Sequence, residues 1–104
     1  MASFEDRENA FENKFAHDAE MQFKAVARRN KLAGLWAAGL MGLTGDEAAD
    51  YAKSVVKADF EEAGDDDVVR KLVADLKGKA DAAAVRAKLG ACLIEAKEQL
   101  LKEV

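Results

Sequence analysis

A chain of this size builds its core from its largest apolar side chains, and this one places four of its five phenylalanines in the first 23 residues. Phe4, Phe11, Phe15 and Phe23 lie in a stretch crowded with charge, and only Phe60 lies elsewhere. Either this end is the central core helix, or it is an arm that buries its rings in another molecule. The 104 residues suit one domain with a modest core. Proline is absent, alanine supplies roughly a fifth of the residues, and 35% are charged. Alanine with Glu, Lys and Leu favours helix, because these side chains lose little rotamer freedom there. β-branched residues and tyrosine are too scarce for a sheet.

Apolar periodicity is helical almost throughout. The first pattern runs from about Phe4 to Leu43. Its leading stripe is Phe4, Phe11, Phe15, Ala19; a neighbouring stripe continues through Phe23, Val26 or Ala27, Ala33, Trp36 or Ala37, and Leu40. The drift between the two suggests that the halves face different surroundings. Gly42 is placed to end this helix in a left-handed conformation. Thr44, with Glu47 three residues on, spells a capping box for a second helix to about Glu61, whose inward side is Ala48, Tyr51, Ala52, Val55 and Val56, with Phe60 near its end. Gly64 breaks the pattern. Asp65 is the expected N-cap of a third helix carrying Val68, Val69, Leu72, Val73 and Leu76, closed by Lys77 and Gly78. Asp81 opens the last, with Val85, Leu89, Cys92, Leu93, Ala96 and Leu100 on one side. Gly90 within it suggests a close helix contact. The expectation is an all-α fold, a small antiparallel four-helix bundle with a mobile N-terminal segment: an arm over 1–18 and a bundle over 19–104. The stripes from Trp36 onward can cover one another without Phe4, Phe11 or Phe15.

Charge sharpens the division. Residues 1–23 hold six acids and two bases, so the net −4 of the chain lies wholly within them. A basic cluster follows at Lys24, Arg28, Arg29 and Lys31, and an acidic one at Glu61 to Asp67. A nucleic-acid binder is expected to show a net basic face, and a local cluster of four charges is weak evidence for one, so no nucleic-acid partner is expected. No apolar stretch spans a bilayer, and no basic-then-apolar start reads as a secretory signal. One cysteine permits no internal disulfide and fits a reducing compartment, so the chain reads as cytoplasmic.

Little here carries chemistry. One histidine, His17, and one cysteine, Cys92, are too few for a zinc site. Asp65, Asp66 and Asp67 lack the ligand ladder of a calcium loop. Cys92 sits in an apolar stripe as core filler. The glycines form no phosphate-binding loop. The chain is expected to be no enzyme, with no catalytic residue, metal or cofactor. One ligand reading stays open, a nucleotide held by Lys24, Arg28, Arg29 and Asn30 near Trp36, and so does a plain scaffold bundle. The arm is the stronger feature. A segment of about 15 residues is marginal as a lone helix in water, and an amphipathic helix laid in a partner's groove is the matching mode of recognition.

One family shares these residues. Phe4-x-Asp6-Arg7-Glu8-x-Ala10-Phe11-Glu12-x-Lys14-Phe15-Ala16-His17-Asp18, then Phe23-Lys24, then Ala27-Arg28-Arg29-Asn30-Lys31-Leu32-x-Gly34-x-Trp36-Ala37-Ala38, resembles the zeta inhibitor subunit of alphaproteobacterial ATP synthases. The similarity continues through Tyr51-Ala52, Val55-Val56, Ala58 to Glu61, Gly64-Asp65, Asp67, Arg70-Lys71 and Asp75-Leu76. Ala63 departs from the proline common there, and Val26 and Gly39 from what are often acids. The resemblance implies a four-helix bundle whose mobile N-terminal region inserts at a catalytic alpha/beta interface of the synthase head, beside the rotating gamma shaft. It would block rotation in the hydrolysis direction and permit synthesis. By the same implication Phe4, Phe11 and Phe15 are apolar anchors, and Arg7, Glu8, Glu12 and Lys14 polar contacts, with Asp6 and Asp18 inside the wedge motif. The basic cluster would lie where arm meets bundle. The partners would be the alpha, beta and gamma subunits, the free protein a monomer, and its place the cytoplasm, peripheral to the inner membrane through the synthase.

Overall fold

The computed structural model describes residues 19–59 and 65–103. They form four helices: α1 (Ala19–Leu40), α2 (Gly45–Ala58), α3 (Asp66–Leu76) and α4 (Ala82–Glu103). The N-terminal segment with Phe4, Phe11, Phe15 and His17 lies outside the described residues, as do Phe60, Glu61, Ala63 and Gly64.

The helices start and stop where small, local chemistry dictates. At the end of α1, Gly42 adopts φ +81. This lets the amide of Leu43 donate to the carbonyl of Ala38 (2.9 Å) and that of Gly42 to Gly39 (3.2 Å), the paired bonds of a Schellman close. Thr44 stands at the N-cap of α2 with extended backbone, yet its side chain makes no capping bond, so the expected capping box is not formed. Lys77 and Gly78 end α3 as two successive left-handed residues. Asp81 caps α4 through its carboxylate, which accepts from the amide of Ala84 at 2.8 Å.

Cross-helix contacts fix the directions. Arg28 of α1 reaches Gln99 and Glu103 of α4, while Trp36 lies under Lys88, so these two helices run antiparallel. Gly34 of α1 meets Ala52 and Val55 of α2. Tyr51 of α2 meets Lys71 and Asp75 of α3. The result is a small antiparallel four-helix bundle with α1 touching each of the other three. Its main core joins Ala33, Ala37, Val55, Val68, Val69, Leu72, Leu76, Val85, Leu89 and Cys92. A separate, smaller cluster joins Met21, Ala25 and Leu100.

The expected stripes of α3 and α4 are buried except at Val73 and Leu93, which are half-buried. In α1 the expected stripe holds at Ala33 and Ala37 but not at its ends: Phe23 is 55% exposed and Leu40 42%, and the interior also takes Met21, Ala25, Gly34 and Ala38. Small side chains face inward because α1 is approached closely by its neighbours. Gly34 shows how closely. A Cβ there would sit 2.7 Å from Ala52 Cα. Gly90, expected to mark a close contact, faces open space instead.

Opposite outcomes follow for one substitution at two glycines. Gly90→Ala should raise stability by about 0.5–1 kcal/mol, because only helix propensity changes. Gly34→Ala should lower it, since an overpacking cost of about 1–3 kcal/mol outweighs the same propensity gain. Thermal unfolding of the two variants tests the α1–α2 approach directly.

Candidate functional site

The described part of the candidate site is the polar end of α1. Lys24 and Arg28 are one helical turn apart and lie on one face, whereas Arg29 and Asn30 turn inward. Lys24 pairs with Glu20 along the helix at 3.1 Å, both exposed. Arg28 crosses to α4, donating to Gln99 (3.4 Å) and to Glu103, and that bond holds the Glu103 carboxyl below its ordinary value. Arg29 is only 4% exposed. Its Nε and Nη2 donate to Asn30 Oδ1 at 3.0 and 2.8 Å, and its Nη1 to Asp65 Oδ1 at 3.0 Å. Asn30 is fully buried, and its Nδ2 has no partner.

The four residues read as a possible nucleotide cradle therefore do not converge. Arg28 points to α4 and Arg29 to the start of α3, and the cations of Lys24, Arg28 and Arg29 each already face a carboxylate. A phosphate would have to displace protein acids at separate places. Arg29 had a legible signal in the sequence: it follows Ala25 and precedes Ala33, each by four, so it lies on the buried stripe.

The acidic run has a structural role that its composition did not reveal. Three consecutive aspartates pair with three arginines on three helices: Asp65 with Arg29 of α1, Asp66 with Arg86 of α4 at 3.0 Å, and Asp67 with Arg70 of α3. Asp65 occupies the N-cap position but makes no side-chain capping bond; its carboxylate accepts from Arg29 instead. Among the described residues no group of His, Cys, Asp or Glu is arranged to hold a metal ion. A shallow groove between α3 and α4 is floored by Val69, Val73 and Ala82 and edged by Arg70 and Arg86. Cys92 is buried, and burial pushes its thiol up, so it is a poor nucleophile.

A second polar cluster clasps α2 to α3. Tyr51 donates to Asp75 Oδ2 at 2.8 Å, Lys71 donates to the same oxygen at 3.0 Å, and the Lys71 ammonium lies 5.2 Å from the Tyr51 ring centre. Burial, the bond to Asp75 and the carboxylate charge all push the Tyr51 phenol up. For Asp75, burial pulls upward, but the bonds from Lys71 and Tyr51 and the Lys71 charge overcome it, leaving the carboxyl below its ordinary value. A depressed folded-state value means stability that is present above the unfolded value and lost as pH falls through the folded one. Asp75→Asn should therefore cost about 1 kcal/mol at neutral pH. The gap to wild type should narrow as pH falls from the ordinary aspartate value of about 3.9 through the lower folded-state one. Thermal unfolding at a series of pH values measures this.

Comparison with known proteins bears on the whole chain. No described helix is long and apolar enough to cross a membrane. A search of curated proteins finds no match. A protein solved by solution NMR is 60% identical and superimposes with a TM-score of 0.75, over 81% of this chain and 99% of that one. The family model of the ATPase inhibitor subunit zeta matches residues 1–99, covering the N-terminal segment and nearly all of the four helices. The chain belongs to the ATPase inhibitor subunit zeta family.

Proposed function

We propose that the chain is a non-enzymatic inhibitor of ATP hydrolysis by the catalytic head of an F-type ATP synthase. Residues 1–18 form the inhibitory arm, helical when docked, and residues 19–104 the bundle that carries it. The arm enters a catalytic alpha/beta interface beside the gamma shaft and stops rotation in the hydrolysis direction. Phe4, Phe11 and Phe15 are its apolar anchors; Asp6, Arg7, Glu8, Glu12, Lys14 and Asp18 supply the polar contacts. The protein then sits at the cytoplasmic side of the inner membrane through the synthase.

The observation that carries this reading is the reach of the family match, from residue 1 to residue 99, across a segment and a bundle of contrasting character. Two features support it. The four helices supply two apolar clusters from residues 21 to 101. Three of the four cations of the basic cluster, Lys24, Arg28 and Arg29, serve pairs within the bundle, which favours a mechanical over a phosphate-binding role for that end of α1.

The test is ATP hydrolysis by the cognate catalytic head, with the full chain and with residues 2–18 deleted. The full chain should inhibit, and the deleted one should not, while keeping its helical circular dichroism and cooperative melt. Undiminished inhibition by the shortened chain, or its unfolding, would overturn the reading.

A further inference from the structure

The bundle has two apolar clusters, and a polar layer lies between them. Along α1 the buried positions run Met21, Ala25, then Arg29 and Asn30, then Ala33 and Ala37. The first two belong to the small cluster with Leu100, and the last two to the main core. On α4 the change of cluster comes between Cys92, in the main core, and Leu93, which packs on the small cluster with Leu100 and Leu101; the buried Ala96 lies among them. The contact of α2 with α1 at Gly34 and of α3 with α1 at Arg29 both lie at or beyond the layer. Below it, Met21, Ala25 and Arg28 meet α4. Arg28 closes this end, through Glu103 and Gln99, and Gln99 in turn donates to Glu95 at 3.3 Å. The Arg28 side chain is 30% exposed and that of Glu103 53%, so the pair is a weak tie rather than a lock.

We propose that residues 19–28 and the last turn of α4 open as one unit at the Arg29–Asn30 layer, held shut by Arg28 and Glu103, and that opening lengthens the inhibitory segment past residue 18 to bring in Met21 and Phe23. The physical grounds are threefold. The small cluster has three buried side chains, one of them alanine, with Leu93 and Leu101 packed on it, and so holds less apolar area than the ten-residue main core. On α1, a polar layer containing an unpartnered amide interrupts the apolar run that would couple this end to the main core. Local opening follows such boundaries. Phe23, already 55% exposed, would be presented on the same helix as the arm. The second half of the proposal rests on the inhibitory function given above; the first half does not.

Amide exchange on the full chain tests it, in wild type, Glu103→Ala and Leu100→Ala. The amides of 23–28, past the first turn of α1, should exchange at least about tenfold faster than those of 33–38, with a step at Arg29–Asn30 and not a gradual slope. Glu103→Ala should speed 23–28 about threefold, and Leu100→Ala about tenfold or more, with 33–38 unchanged in both. Equal protection on both sides of the layer, a smooth gradient, or a joint rise at 33–38 in Leu100→Ala would overturn the separate unit. In the hydrolysis assay, a threefold larger open population should lower the half-inhibiting concentration of Glu103→Ala about threefold. Altered exchange with unaltered inhibition would overturn the lengthened segment. A wild-type chain that inhibits nothing defeats the function and the lengthening together, and the exchange pattern then decides the latch alone.

Discussion

Replacing Phe11 and Phe15 together by alanine should raise the half-inhibiting concentration about 100-fold or more while leaving the melting temperature of the free protein within a degree or so of wild type. The two rings are four residues apart in sequence, with Phe4 one heptad before Phe11, so a docked helix would carry them on one face. A buried aromatic anchor at an interface typically costs about 2 kcal/mol or more on truncation. Two such losses amount to about 4 kcal/mol, close to a thousandfold in affinity, and non-additivity between neighbours brings the expectation down toward the lower figure. Hydrolysis by isolated heads and a thermal melt of the variant are the two measurements. They separate two outcomes that a single assay would confuse. Lost inhibition with an intact melt places the rings in the partner. A collapsed melt would place them in the bundle's own core, and the arm would then have no function of its own.

Why the bundle was legible and its joints were not is a matter of sequence distance and side-chain size. The inward faces of α3 and α4 announce themselves because Val and Leu recur at Val68, Leu72 and Leu76 and at Val85, Leu89 and Leu100, all buried. Gly42 and Asp81 act within a few residues of themselves, and both do what their local chemistry dictates. On α1 the expected stripe fails at Phe23 and Leu40, which lie outside, while Ala25, Gly34 and Ala38 lie inside. Size is a good guide to burial only where neighbours stand far enough away to need filling, and at Gly34 they do not. The close contact expected at Gly90 is found at Gly34 instead. Thr44 and Asp65 carry the right residue type for a cap, yet type does not choose the partner; Asp65 meets Arg29 across 36 positions. Asp66 likewise meets Arg86 across 20. Such pairs have no periodic signature. For the candidate site, the sequence located the basic cluster, and only the fold shows that its members point to different helices.

Arg29→Met should be the most damaging single change in the described bundle outside its apolar core, lowering stability by about 2–4 kcal/mol and the melting temperature by roughly 10–20 °C. The loss comes mainly from Asn30, not from the ion pair. Asp65 is 56% exposed, so when Arg29 is removed its carboxylate returns to water at little cost. Asn30 cannot do the same. It is fully buried, and its Oδ1 receives both of the donors that Arg29 sends it. Without them its oxygen joins its already unpartnered Nδ2 as a second orphan in a dry interior. Methionine fills much of the volume, so a cavity is not the cause. Two companions distinguish the seat of the effect. Asp65→Asn should cost no more than about 1 kcal/mol, because it touches only the exposed partner. Arg29→Met combined with Asn30→Leu should recover part of the loss, since replacing both members of a buried polar pair by apolar groups removes the orphan together with its donor. A double-mutant cycle by urea unfolding should give a coupling of roughly 1–3 kcal/mol between positions 29 and 30. If Asp65→Asn were as harmful as Arg29→Met, and the double change recovered nothing, the ion pair and not the amide would hold this end of α1 to the rest.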